Sequence, residues 1–133
     1  MDRLSKRKLQ TKAMAAARGY VEAGKLEEAS KELSWTASNA PDKQVALIAR
    51  VRLARVQSAL GKPEEALKTL PKNPPESFTA IVEEVRGDLF VAMGEMDKAL
   101  TAYQAALDSG QNAGNSQVLT MKINELATAT DAS

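Results

Sequence analysis

The stretch GEMDKALTAYQAAL, residues 94–107, indicates how this chain folds. A glycine opens it, acidic residues follow where a helix would begin, and small and large apolar residues then recur at helical spacing. The same opening occurs twice earlier, as GKLEEA at residues 24–29 and as GKPEEA at residues 61–66. Each of the three stretches predicts a glycine turn that leads into a helix.

The spacing of these turns predicts a repeat architecture. Gly24, Gly61 and Gly94 are 37 and 33 residues apart, and self-similarity at about 34 residues in helix–turn–helix units is the signature of tetratricopeptide repeats. We therefore predict an all-α fold, a tetratricopeptide-like right-handed solenoid of three helix pairs with a C-terminal capping helix. Seven helices are expected, at about 8–23, 26–39, 43–60, 63–70, 76–93, 96–108 and 116–128.

The whole chain, residues 1–133, is predicted to be a single domain. Its expected parts are a first repeat at 8–41, a shortened second repeat at 42–75, a third repeat at 76–110 and the capping helix at 116–128. Residues 1–7 are expected to be flexible or foreign to the native protein. Pro71 is expected to shorten the second repeat, because proline cannot donate to the preceding helical turn. In the capping helix, the apolar side chains expected to cover the third repeat are Val118, Leu119, Ile123 and Leu126.

Composition excludes several classes of function. The chain has 18 lysine and arginine residues against 17 aspartate and glutamate residues, so a net charge of +1 gives no excess positive field for nucleic acid. It contains neither histidine nor cysteine, which removes the commonest general base, the thiol nucleophile and the usual zinc ligands. We predict no enzyme activity, no cofactor and no metal site.

Tetratricopeptide arrays bind partners along the concave face formed by the first helix of each pair. Transferring those positions to this chain predicts a groove with apolar patches and scattered charge, which suits a protein partner. The predicted groove residues are Met14, Arg18, Val21, Ile48, Val51, Arg55, Ile81, Glu84 and Asp88. Among the arginines of the second repeat, Arg50, Arg52 and Arg55, only Arg55 is expected to face this groove. The asparagines of domains that clamp a chaperone's C-terminal carboxylate are absent, so such a clamp is not expected.

Three runs of sequence resemble the YfgM family, the ancillary subunits of the bacterial SecYEG translocon. They are ARVRLARVQSALGKPEEALKTL at 49–70, FTAIVEEVRGDLFVAMGEMDKALTAYQAAL at 78–107 and LTMKINEL at 119–126, and the likeness covers about residues 12 to 127. The resemblance implies an inner-membrane protein with a short cytosolic N-terminus, one transmembrane helix and a tetratricopeptide-like domain in the periplasm. It also implies partnership with SecYEG and with the membrane-anchored chaperone PpiD, in assistance to client polypeptides that emerge from the translocon.

No apolar run in this sequence approaches the roughly 20 residues that span a bilayer. On the resemblance, the chain is expected to be the C-terminal periplasmic domain, attached to the membrane only through a helix upstream of residue 1. The alternative is a cytosolic tetratricopeptide adaptor that binds a peptide segment of another protein. An apolar stretch of about 20 residues upstream would favour the translocon-associated protein over the adaptor.

Overall fold

The computed structural model of the protein describes residues 2–111 and 114–131. Over those ranges all regular structure is helical, which confirms the all-α prediction. The chain forms two compact units, of which the first ends at Thr69 and the second begins at Leu70. The elements are α1 (Arg3–Glu22), α2 (Leu26–Asn39), α3 (Lys43–Ala59), α4 (Pro63–Thr69), a 3-10 turn (Glu76–Phe78), α5 (Thr79–Ala92), α6 (Met96–Asp108) and α7 (Ser116–Asp131).

The three glycine turns share one backbone geometry. Gly24, Gly61 and Gly94 have positive φ angles of 75°, 83° and 77°, in the left-handed region that glycine enters at little cost. In each turn the glycine amide donates to the carbonyl three residues earlier, and the next amide donates to the carbonyl five residues earlier. This pattern is a Schellman-type helix end, which satisfies the last carbonyls of the first helix. The predicted turns are therefore confirmed at the level of individual hydrogen bonds.

In the first unit, α2 packs against both α1 and α3, and α4 packs against α3. Fully buried alanines at the crossings, such as Ala29 and Ala49, let the helices approach closely. Larger apolar side chains then fill the remaining space. The buried cluster consists of Ala17, Ala29, Leu33, Ala49, Leu53 and Val56, with Met14, Tyr20, Leu26, Ala37 and Leu60 packed around it.

The short helix α4 is held by polar side chains of α3. The Thr69 hydroxyl donates to Gln57 Oε1 at 2.7 Å, and Arg50 Nε donates to the Thr69 carbonyl at 3.0 Å. Gln57 stands where the repeat pattern usually has an aromatic residue, and it is 8% exposed. The bond from Arg50 satisfies the Thr69 carbonyl, which the early end of α4 before Pro71 would otherwise leave without a partner.

In the second unit, α5 pairs with α6, and α7 packs on α6 as the predicted capping helix. Leu119 is fully buried against Ala99, Tyr103 and Ala106, and Ile123 and Leu126 pack beside it. Val118, in contrast, is 42% exposed, so its predicted part in the cap is wrong. One residue turns a helix by about 100°, which carries Val118 off the face that Leu119 buries.

The first helix begins earlier than expected, at Arg3 instead of residue 8. Asp2 caps it, because its Oδ1 accepts a hydrogen bond of 2.7 Å from the Ser5 amide. That backbone hydrogen bond lowers the pKa of Asp2 below its usual value. The expectation that the helix begins only after residue 7 is therefore wrong, because residues 3–7 are helical. The capping residue Asp2 lies outside the apolar repeat pattern from which the start of the helix was predicted.

Candidate protein-binding site

A cavity in the first unit brings together four of the predicted groove residues: Met14, Arg18 and Val21 of α1 and Arg55 of α3. Its volume is about 320 Å³. Three buried apolar side chains from α1, α2 and α3, which are Ala17, Leu33 and Val56, form its floor. The remaining lining residues are Glu22 and Arg52. The cavity is thus apolar at its base and charged at its edge, the same arrangement of apolar core and polar rim that protein interfaces have.

The edge of this cavity carries more positive than negative charge. Arg18, Arg52 and Arg55 are exposed there, and Glu22 is the single acidic residue in the lining. Among the described residues, the guanidinium groups of Arg18 and Arg52 have no hydrogen bond or ion pair. Both can therefore donate to a carboxylate, which a planar guanidinium binds through two parallel hydrogen bonds.

The prediction that only Arg55 of the three neighbouring arginines faces the groove is wrong, because Arg52 lines the same cavity. A step of three residues turns a helix by about 300°, which leaves Arg52 and Arg55 only about 60° apart on one side of α3. Arg50 lies elsewhere and donates to the Thr69 carbonyl of α4. The pair of arginines could have been found from the sequence by this spacing.

Two further residues predicted for the groove in α3 do not line the cavity. Val51 is 3% exposed, so its side chain is part of the protein interior and offers no surface to a partner. It directly precedes Arg52, and one residue of helix separates the exposed and buried directions by about 100°. Ile48 is half-buried and lies outside the lining of the cavity.

In the second unit, the predicted acidic groove residues are bound within the unit. The Lys122 ammonium of α7 lies 2.9 Å from Glu84 Oε2 and 3.0 Å from Asp88 Oδ1. The Asn115 amide also donates to Glu84, and the Tyr103 hydroxyl donates to Asp88. Contacts within the unit thus occupy carboxylates that were predicted to meet a partner. Ile81 remains on the surface, at 46% exposed.

Lys122 is the central cation of this network. Its partial burial lowers its pKa, but the hydrogen bonds and negative charges of Glu84 and Asp88 outweigh burial, and the pKa lies above its ordinary value of 10.5. The sequence contained a signal for the helix faces that make this contact, but not for their pairing. Glu84 and Asp88 are four residues apart on one face of α5, and Lys122 follows the buried Leu119 by three residues on α7.

The family model of the tetratricopeptide repeat-like domain matches residues 5–128, a range that reaches from α1 into α7. Within the described residues, none of the helices is both long and apolar enough to cross a bilayer.

Several curated relatives carry the name ancillary SecYEG translocon subunit. The protein of Escherichia coli K12 is 31% identical over 115 residues, which are 86% of this chain and 56% of the relative. That of Haemophilus influenzae is 33% identical over 98 residues, 74% of this chain and 48% of the relative. That of Neisseria gonorrhoeae is 30% identical over 118 residues, 88% of this chain and 56% of the relative.

This chain spans about half the length of the curated relatives it matches. The resemblance to the ancillary SecYEG translocon subunits is confirmed, and the match over residues 5–128 shows that the chain belongs to the tetratricopeptide repeat-like domain family.

Proposed function

We propose that this chain is a non-enzymatic protein-interaction domain that acts beside the bacterial Sec translocon. The observation that carries the proposal is the 31% identity with the ancillary SecYEG translocon subunit of Escherichia coli, which extends over 86% of this chain. The fold supports it, because pairs of packed helices present side chains from a rigid surface, as helical-repeat proteins do when they bind other proteins.

The domain would lie on the periplasmic side of the inner membrane and partner a membrane-anchored chaperone of the PpiD type. There it would assist client polypeptides that leave the translocon. Its mechanism would be scaffolding, in which apolar burial supplies affinity and charged residues at the edge select the partner. Such a role needs no proton transfer, in keeping with a chain that has no histidine or cysteine.

Photo-crosslinking of the full-length protein in its bacterial host tests the association. A photoreactive amino acid placed at Val21 or Ile81, both exposed, should crosslink to a SecYEG subunit or to a PpiD-type chaperone. The same amino acid at Glu64, an exposed residue of α4 outside the cavity, is the control position. The proposal is contradicted if neither Val21 nor Ile81 crosslinks to a SecYEG subunit or to a PpiD-type chaperone, and if neither of these partners copurifies with the protein in mild detergent.

Thiol labelling tests the side of the membrane. This chain has no cysteine, so Glu64→Cys introduces one exposed thiol into it. A membrane-impermeant maleimide should label that thiol in cells whose outer membrane alone has been permeabilised. Labelling only after lysis of the inner membrane would favour a cytosolic adaptor instead.

A further inference from the structure

We propose that the cavity of the first unit binds a peptide segment in which an aliphatic side chain is flanked by acidic residues. The proposal rests on the proposed function as a protein-interaction domain and deepens it by naming the ligand chemistry. It requires neither the translocon nor a chaperone to be the source of the segment. Its site is the cavity that Met14, Arg18 and Val21 of α1 line together with Arg52 and Arg55 of α3.

The interior of the cavity selects an aliphatic group. Ala17, Leu33 and Val56 form the buried floor, and Met14 and Val21 form the wall. Val21 is 45% exposed, so a ligand side chain that covers it would remove apolar surface from water. The lining contains no aromatic residue on which a nucleobase could stack. An aliphatic side chain therefore fits this interior better than a base does.

The edge of the cavity selects negative charge. Arg18 and Arg52, which have no ion pair among the described residues, line the cavity beside a single glutamate, Glu22, although the whole chain has a net charge of only +1. Arg18 and Arg52 come from different helices, so a segment that crosses between α1 and α3 can place a carboxylate beside each. A basic segment would be repelled at the same positions.

The charge pattern favours a peptide over a membrane surface. Anionic lipid is typically bound by clusters of about 4–8 lysine and arginine residues on a juxtamembrane or helical face. Here the two arginines without an ion pair among the described residues, Arg18 and Arg52, lie beside an apolar depression and are partly offset by Glu22. This arrangement recognises one apolar group with adjacent carboxylates, which a short stretch of polypeptide supplies.

Fluorescence anisotropy with the purified 133-residue chain tests the proposal. The probes are fluorescein-labelled peptides with blocked termini: one alternates acidic residues with leucine, one replaces the acidic residues by lysine, and one replaces leucine by serine. We expect only the acidic, leucine-containing peptide to bind, with an affinity that falls as salt is added. Blocked termini ensure that side-chain carboxylates, and not a terminal carboxylate, are measured.

Variants assign the binding to the cavity. Arg18→Ala, Arg52→Ala and Val21→Ser should each weaken binding by about five-fold, and the Arg18→Ala/Arg52→Ala double variant should weaken it further. Arg7→Ala is the matched control, since Arg7 is an exposed arginine of α1 outside the cavity. It should bind like the wild type. Circular dichroism and thermal melting would establish that every variant compared is folded.

Several results would overturn the proposal. These are equal binding of the lysine peptide, unchanged binding by the folded double arginine variant, or no binding at peptide concentrations of about 1 mM. The cavity would instead bind a second copy of the chain, or a lipid surface, if no peptide binds and the double arginine variant loses self-association or binding to phosphatidylglycerol vesicles. Either result would also overturn the proposal. Crosslinking to the translocon without peptide binding would remove this proposal alone, whereas peptide binding without crosslinking in cells would remove the proposed function alone.

Discussion

Gly87 of α5 faces the ring of Tyr103 of α6 so closely that a Cβ atom added at Gly87 would lie 2.6 Å from the ring carbon Cδ1. The ring has little room to move, because Tyr103 is 2% exposed and its hydroxyl donates to Asp88. The closest approach of the two helices thus depends on the absence of a side chain at one position.

The substitution Gly87→Ala should therefore destabilise the protein. Overpacking of this kind costs about 1–3 kcal/mol, and the better helix propensity of alanine offsets only part of that cost. Urea denaturation followed by circular dichroism measures the difference. The control is Gly19→Ala in α1, where an added Cβ meets nothing within 4 Å, and it should raise stability by roughly 0.5–1 kcal/mol. A Gly87→Ala protein as stable as the Gly19→Ala protein would contradict the prediction.

Removal of the ammonium group of Lys122 should take an ion-pair partner from two partly buried carboxylates, which keep the hydrogen bonds that Asn115 and Tyr103 donate to them. Glu84 and Asp88 have side chains only 13% and 27% exposed, so Lys122→Met should lower the free energy of unfolding by about 1–3 kcal/mol. Lys98→Met is the control, because Lys98 is 63% exposed and pairs with Glu95 at the surface, where loss of a pair costs less than about 1 kcal/mol. If urea denaturation gave equal losses of unfolding free energy for the two variants, the contact of Lys122 with α5 would stabilise the protein no more than a surface ion pair does.

The same contact predicts a pH dependence. Since the pKa of Lys122 is higher in the folded protein than its ordinary value of 10.5, the unfolded state loses its proton first as pH rises. The stabilisation is therefore complete below pH 10.5 and is lost as pH rises through the folded pKa. We expect the difference in unfolding free energy between wild type and Lys122→Met to be constant from pH 7 to 9 and to shrink above pH 10.5. A difference that stays constant to pH 12 would contradict this assignment.

The glycine at the centre of each turn should tolerate little change. Gly61 has a φ of 83°, and an L-residue with a Cβ pays roughly 1–2 kcal/mol in this region. Gly61→Ala should be destabilised by that amount, and Gly61→Asn by less, because asparagine enters the left-handed region more readily. Thermal unfolding of both variants and of the wild type measures their order of stability. Since nothing lies within 4 Å of an added Cβ at Gly61, a loss in Gly61→Ala reports backbone strain and not a clash.

The sequence predicted the helices best where local signals act alone. Both ends of α2 and α6 agree with the structure, because a glycine turn and an acidic first turn fix the beginning of each helix. The prediction failed for the start of α1, which depends on the capping carboxylate of Asp2 outside the repeat pattern.

The candidate site was predictable only in part. The apolar cavity residues Met14 and Val21 of α1 were predicted from their repeat positions. The place of Arg52 in the cavity follows only when the angle of about 60° between Arg52 and Arg55 around α3 is taken into account. The contact of Lys122 with Asp88 joins residues 34 positions apart. Periodicity within one helix says which face a residue occupies, but not which partner the next helices bring to it.

The three glycine turns also bear on how fast the chain folds. Each turn joins two helices that are consecutive in sequence and packs them against each other, so many native contacts form between segments that are never far apart along the chain. Chains dominated by such local contacts fold in times on the order of microseconds to milliseconds. A helical hairpin can therefore close on its own turn before distant segments meet, which shortens the time for which its apolar faces stay open to aggregation.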